Sequence, residues 1–145
     1  MINVVYIINE LKSNADKIGL NYSIIKGIEA KKLISEIFRK FDPLRTSGHL
    51  AISDNSKIIP LEYNEFTYTL AIKRQKGYLF FDQEGVDKNI VLEVENIQRV
   101  GELMEESFGI EYFLSNSELS FLIAVNWYVI EVSGNCEDIK DLMNI

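Results

Sequence analysis

Apolar residues recur every three or four positions near the start of the chain, which is the spacing of one face of a helix. From Ile2 to Ile18 this pattern predicts a helix that stops near Gly19. A strand over the continuous apolar run Ile2 to Ile8 is the alternative, but it leaves Leu11 and Ala15 outside the pattern. We therefore predict a helix.

A second helix is predicted from Ile28 to Phe41, and Asp42 ends it because the residue before a proline is disfavoured in helical geometry. A short extended segment at Ser23 to Ile25 separates the two helices. The outward face of the second helix carries Lys31, Lys32, Glu36, Arg39 and Lys40, and with Arg45 its four basic residues form a cluster of positive charge. Clustered positive charge suits nucleic-acid binding, but these residues lack interleaved aromatics, so a solvated helix face is favoured.

The middle of the chain shows strict alternation of apolar and polar residues from Phe66 to Lys73, which predicts a half-buried strand. A turn ending at Gly77 and a returning run from Tyr78 to Asp82 extend this strand into a predicted hairpin. Further strands are predicted at His49 to Ser53 and at Asn89 to Val94.

The last third of the chain combines one helix with runs rich in β-branched and aromatic residues. Asn96 caps the predicted third helix, which runs from Ile97 to Phe108 and stops at Gly109. The elements predicted after it are strands Ile110 to Ser115, Leu119 to Val125 and Tyr128 to Ser133, a turn at Asn126-Trp127, and a short helix Cys136 to Met143 capped by Asn135.

These elements predict a single α+β domain over residues 1 to 145. We expect an antiparallel sheet of five to six strands, with the two N-terminal helices and the third helix packed on one face.

The charge is distributed unevenly along the chain, whose net charge is −7. Met1 to Phe81 carries 12 Lys and Arg against 8 Asp and Glu, a balance of +4, whereas Asp82 to Ile145 carries 3 against 14, a balance of −11. An acidic surface steers a basic partner toward itself, although acidic surfaces also serve solubility alone. The single cysteine and the absence of a signal-peptide pattern at the start predict a cytoplasmic protein.

The residues that could carry chemistry do not form a catalytic or metal-binding pattern. His49 is the only histidine, and no base accompanies Cys136 in sequence. The glutamates of the third helix, Glu102, Glu105 and Glu106, have no His or Asp at ligand spacing, so a solvated acidic face is favoured. We expect no enzymatic activity, no cofactor and no metal.

Two stretches resemble known families. Leu61 to Phe66 resembles a core phrase of the SMI1/KNR4 superfamily, which is rich in immunity proteins, but the Gly-rich segment expected after it is missing and a strand is predicted instead. We therefore rest no expectation on it. The block Gly109 to Gly134 resembles a family of small bacterial immunity proteins of polymorphic toxin systems, through Glu111-Tyr112-Phe113 and the strand Phe121 to Asn126. The chain differs from that family in having Phe121 in place of Trp and Trp127-Tyr128 in place of histidines.

The resemblance to the immunity-protein family implies a protein that binds and neutralises a cognate toxin without catalysis. The toxin is expected to be basic, for example a nuclease, and neither nucleic acid nor a membrane is expected as a direct partner. The candidate partner-binding residues are Asp82, Glu84, Glu102, Glu105, Glu106, Trp127 and Tyr128. The alternatives are a small-molecule-binding domain or small enzyme with a pocket at His49, Tyr112 or Cys136, and a subunit that self-associates through a sheet edge.

Overall fold

The computed structural model describes residues 5–53, 56–84, 88–107 and 110–143. The helices are α1 (Val5–Ile18), α2 (Gly27–Phe41) and α3 (Val100–Glu106), and the strands are β1 (Tyr22–Lys26), β2 (Lys57–Pro60), β3 (Gly77–Phe80), β4 (Ile90–Val94), β5 (Tyr112–Asn116), β6 (Phe121–Val125) and β7 (Val129–Gly134). Short 3₁₀ helices occur at Tyr68–Ala71, Ile97–Arg99 and Glu137–Leu142.

The strands of the described residues form one antiparallel sheet in the order β1-β4-β3-β5-β6-β7-β2. Tyr112 pairs with Val125, Val125 pairs with Ile130, and Pro60 pairs with Val129. These pairings place the ends of β2 and β6 and the starts of β5 and β7 together. We call this the loop end of the sheet, because it carries the segments 61–67, 81–84 and 126–128.

Side chains of β1, β3, β4, β5 and β6 alternate between two hydrophobic cores, one on each face of the sheet, whereas β2 and β7 contribute only to the first core. Helices α1 and α3 and the three 3₁₀ helices of the described residues cover the first face, where Leu79, Leu92 and Leu114 are buried. Helix α2 and the segment 44–52 cover the second face, where Phe80 and Phe113 stack with ring centroids 5.1 Å apart. The sheet is therefore the middle layer of three.

The α+β class and the antiparallel sheet are confirmed, but the sheet has seven strands in the described residues rather than five to six. The prediction that all three helices pack on one face is wrong, because α2 lies on the face opposite α1 and α3. In β6, successive residues are all apolar and all buried, so this strand is covered on both faces of the sheet.

The predicted hairpin from Phe66 to Asp82 is also wrong. Residues 68–71 form a 3₁₀ helix whose Leu70 side chain is exposed, and β3 pairs with β4 on one side and β5 on the other. Both hydrogen-bonding edges of β3 are therefore occupied, so no strand from residues 66–73 has a place beside it. The Asn64 carbonyl accepts hydrogen bonds from the amides of Thr67 and Tyr68, which turns the chain at this point.

The predictions for the two terminal thirds are closer. Helix α1 is confirmed from Val5 onward, whereas Ile2 to Val4 lie outside the described residues. The Asn96 side chain caps the third helix, which begins as a 3₁₀ turn, and its predicted end at Phe108 and Gly109 lies outside the described residues. The predicted strand at His49 to Ser53 is only one isolated bridge between Arg45 and Ala51.

The strands of the terminal block are confirmed with boundaries shifted by one or two residues. The last helix is a 3₁₀ helix without a side-chain cap, so the capping role predicted for Asn135 is wrong. Its backbone amide instead donates to the Ser120 carbonyl at 2.8 Å. None of the helices in the described part of the chain has the length and apolar character needed to cross a bilayer.

Candidate protein-binding surface

The turn between β6 and β7 is held by the buried side chain of Asn126. Its Oδ1 accepts hydrogen bonds from the amides of Tyr128 at 2.8 Å and Val129 at 2.9 Å, which is an Asx turn. Its Nδ2 donates to the Leu50 carbonyl at 3.0 Å. The turn is thereby fixed to the sheet and to a neighbouring loop, while Trp127 and Tyr128 stay 65% and 74% exposed.

Two carboxylates hold the neighbouring segment 42–53 and Ser56. Glu111 Oε1 accepts from the Leu50 amide at 2.8 Å. Glu131 lies in the middle of β7 and is buried, and its Oε1 accepts from Ser56 Oγ at 2.9 Å and from the Ile52 amide at 3.3 Å. Because Leu50 and Ile52 are also buried in the second core, these bonds and the apolar contacts hold the same loop.

His49 lies beside the exposed turn. Its Nδ1 is 3.5 Å from Glu111 Oε2, and its ring meets the Tyr128 ring edge-on with the centroids 5.2 Å apart. The arrangement orients the Tyr128 ring, because an edge-to-face pair restricts both side chains. His49 therefore lies between Glu111 and the exposed Tyr128 ring.

Asp82 lies at the same end of the sheet and is engaged in the loop structure. Its Oδ2 accepts from the Gly48 amide at 2.7 Å and its Oδ1 accepts from the Glu84 amide at 2.8 Å. The Gln83 amide donates to the Thr46 carbonyl, which joins the segment 42–53 to the end of β3. The fold thus brings four of the predicted partner-binding residues to the same end of the sheet: Asp82, Glu84, Trp127 and Tyr128. We call these four residues, with His49 and Glu111, the aromatic-acidic surface.

The three glutamates of α3 do not belong to this surface, and their environments differ. Arg99 donates to Glu102 at 2.6 Å, and this hydrogen bond lowers the pKa of the Glu102 carboxyl. Glu106 forms an ion pair with Lys17 at 3.4 Å. Only Glu105 has no ion pair within the described residues, and it lines a cleft against the segment 61–67.

The residues considered for small-molecule chemistry lie apart: Cys136 lines a cleft of about 430 Å³ with Lys73 and Asn116, whereas Tyr112 lines a different cavity of about 20 Å³. Tyr112 and Cys136 lie in the first core, whereas His49 precedes Leu50 of the second. The Tyr112 hydroxyl is 2.8 Å from that of Tyr68, and burial raises the pKa of both phenols. Burial, aided by Asp138, raises the pKa of the Cys136 thiol to about 12. A thiol with this pKa stays protonated at neutral pH and is a poor nucleophile.

No group of His, Cys, Asp and Glu side chains among residues 5–53, 56–84, 88–107 and 110–143 is arranged to hold a metal ion. The aromatic-acidic surface presents exposed rings, carboxylates and a turn held by Asn126.

The sequence did not reveal the polar network beneath this surface. A signal was present in Glu131, a charged residue inside the apolar run of β7, because such a residue needs partners when it is buried. Two of its partners, Ile52 and Ser56, are distant in sequence, and no local pattern indicates them.

Comparison of the chain with protein-family models, with curated proteins and with solved structures gives no match.

Proposed function

We propose that the chain is a non-enzymatic binding protein that neutralises a toxin, as an immunity protein does. The observation that carries the proposal is the pair Trp127 and Tyr128, two largely exposed aromatic side chains on a turn fixed by Asn126. Large apolar side chains with polar tips, presented on a rigid backbone, are typical anchors of protein interfaces.

The charge around this turn indicates a basic partner. Glu84 is exposed and Asp82 is partly exposed beside it, while the chain as a whole has a net charge of −7. Charge of this sign accelerates encounter with a basic protein, and the desolvated aromatic anchors then slow dissociation. A toxin domain that acts on nucleic acid has the required positive surface, and a cytoplasmic location would place this chain beside such a target.

The resemblance of residues 109–134 to an immunity-protein family agrees with this proposal. The second resemblance, at Leu61 to Phe66, was set aside partly because a strand was predicted after it. The structure has a 3₁₀ helix there instead, although the Gly-rich segment is still missing.

The proposal is tested by co-expressing the chain with the product of the gene immediately upstream. We expect the two proteins to co-purify and growth to be restored relative to the upstream gene alone. A toxic upstream product that neither co-purifies with the chain nor is neutralised by it would contradict the proposal for that pair.

The binding surface is tested with the double variant Trp127→Ala, Tyr128→Ala. Truncating two anchors costs about 2 kcal/mol each, so the dissociation constant should rise on the order of 100-fold or more. The matched control is Ile28→Ala, Leu70→Ala, because these two apolar side chains are also exposed, at 74% and 64%. The control should retain affinity within about threefold, since exposed residues outside an interface contribute little. Equal losses in both double variants would exclude the aromatic-acidic surface as the interface.

A further inference from the structure

A cleft of about 500 Å³ opens between α3 and the segment that follows β2. Its lining is mostly apolar, and the residues around it are Leu61, Glu62, Tyr63, Glu65, Phe66, Thr67 and Glu105. Pro60, which precedes this segment, pairs with Val129, which follows the exposed turn. The cleft therefore also lies at the loop end of the sheet, yet it shares no residue with the aromatic-acidic surface.

The negative charge of the cleft is not neutralised within the described residues. Glu62, Glu65 and Glu105 form no ion pair there, whereas the neighbouring Glu102 and Glu106 each do. Three carboxylates around a mostly apolar lining favour a ligand that combines a positive charge with an apolar stem.

Tyr63 adds an aromatic face to the cleft. It is 89% exposed and has a φ of 69°, a left-handed conformation that bulky residues rarely adopt. Its carbonyl accepts from Thr67 Oγ1 at 2.9 Å, and Asn64 Nδ2 donates to the Pro60 carbonyl at 2.9 Å. The side chain is therefore displayed on a turn whose backbone is held on both sides.

We infer that this cleft binds an arginine-containing segment of a partner protein. The methylene stem of arginine packs on Leu61 and Phe66, and its guanidinium group faces the three glutamates. The planar guanidinium stacks on an aromatic ring and makes bidentate hydrogen bonds with carboxylates, which the ammonium group of lysine does not do. The inference adds a second surface to the molecule and does not depend on the identity of a toxin.

The test uses the full chain labelled with ¹⁵N and a blocked hexapeptide of alternating leucine and arginine. Lysine and glutamate versions of the peptide serve as comparison probes. We expect amide shifts concentrated in residues 61–67 and at Glu105, affinity in the order arginine, lysine, glutamate, and an arginine preference of about threefold or more. Amide shifts spread over acidic residues outside the cleft, or equal binding of the arginine and lysine peptides, would overturn the inference.

Isosteric variants separate the cleft from general charge attraction. The triple variant Glu62→Gln, Glu65→Gln, Glu105→Gln should weaken arginine-peptide binding about tenfold or more, because it removes three charges next to the ligand. The control triple Glu29→Gln, Glu36→Gln, Glu118→Gln removes the same charge from other exposed positions and should change the affinity less than about twofold. Equal effects of the two triples would overturn the inference.

Tyr63→Ala gives an independent readout, since this exposed side chain contributes little to folding. It should reduce the preference for arginine over lysine, which depends on stacking, more than it reduces lysine binding. An unchanged preference would contradict the role of the ring. A concentration-dependent dimer with shifts at residues 61–67 would assign the cleft to a second copy of the chain and would also overturn the inference.

Discussion

A single side chain, Asn126, connects three parts of the candidate surface. Its amide group bonds to the exposed turn, to the segment 42–53 through Leu50, and more weakly to Glu131, whose Oε2 lies 3.4 Å from Nδ2. An asparagine is suited to this position because it offers an acceptor and two donors on one short side chain. An ionised Asp lacks the donor, and the hydroxyl of Ser offers only one donor on a shorter side chain.

We predict that Asn126→Ala lowers the free energy of unfolding by about 2–4 kcal/mol, because it leaves the buried Leu50 carbonyl and the turn amides without partners. Asn126→Asp should also destabilise the protein, since it keeps the acceptor but places a second carboxylate beside Glu131. The measurement is urea unfolding followed by tryptophan fluorescence.

The control for this prediction is Asn135→Ala, which replaces an exposed asparagine whose recorded hydrogen bond is made by its backbone. It should change the free energy of unfolding by less than about 0.5 kcal/mol. If Asn126→Ala were equally mild, the turn would be held by its strands and not by this side chain.

At the scale of elements, the contact between α3 and the segment 61–72 shapes the cleft. The Gly101 amide donates to Thr69 Oγ1 at 3.0 Å, and Thr69 Oγ1 donates to the Gln98 carbonyl at 3.1 Å. Gly101 permits this approach, because a Cβ atom there would lie 2.1 Å from the Phe66 carbonyl oxygen. The two elements pack backbone against backbone at that point.

We predict that Gly101→Ala destabilises the protein by about 2 kcal/mol or more, because the clash involves backbone atoms that cannot move aside alone. Intrinsic helix propensity alone would give the opposite sign, a gain of about 1 kcal/mol for alanine over glycine. A lower midpoint temperature of thermal unfolding would therefore confirm the close contact between Gly101 and Phe66, and a higher one would contradict it. Ser35→Ala, at an exposed position of α2, controls for propensity and should be neutral or slightly stabilising.

The elements that the sequence predicted well are those whose partners are near in sequence. Helix α2 and the strands β5 to β7 follow from local periodicity and neighbouring turns, and their bounds are within two residues of the prediction. The segment 66–73 was mistaken for a strand because alternation describes only which side chains are apolar. Two tertiary contacts exclude the strand and cannot be read from this pattern: the pairing of both edges of β3, and the close approach of Gly101 to Phe66.

The candidate site was predictable to a similar extent. Trp127 and Tyr128 were identified because a turn rich in aromatics between two strands is conspicuous in sequence. The three glutamates of α3 were grouped because they share a short helix. In the structure Arg99 pairs with Glu102 and Lys17 pairs with Glu106, so their environments differ. Lys17 belongs to α1, so its pairing with Glu106 depends on how two helices pack, which periodicity does not reveal.

At the scale of the whole molecule, charge follows the layers of the fold. Helix α2, on the second face of the sheet, carries Lys31, Lys32, Arg39 and Lys40 as exposed residues. The uncompensated glutamates of the cleft lie on the side of α3, which covers the first face. A basic partner is therefore attracted to the loop end and the α3 side and repelled by α2, so charge selects the orientation of approach as well as its rate.

The first core also makes the stability of the whole fold sensitive to alkaline pH. Cys136 and the phenols of Tyr68 and Tyr112 are buried there, and burial raises the pKa of each above its value in an unfolded chain. For Cys136 the pKa moves from 9.0 to about 12. Below pH 9 both states keep the thiol proton, so the stability is unaffected. Between pH 9 and about 12 only the unfolded state loses it, and stability falls by about 1.4 kcal/mol per pH unit for each such group.

We therefore predict that the midpoint of urea unfolding is constant from pH 7 to 8.5 and declines from pH 9, more steeply above pH 10 where the two tyrosines contribute. Cys136→Ala should flatten the decline between pH 9 and 10, whatever its effect on stability at pH 7, because it removes the group that titrates first. A Cys136→Ala profile parallel to that of the parent between pH 9 and 10 would show that this thiol ionises equally in both states and is not shielded by the core.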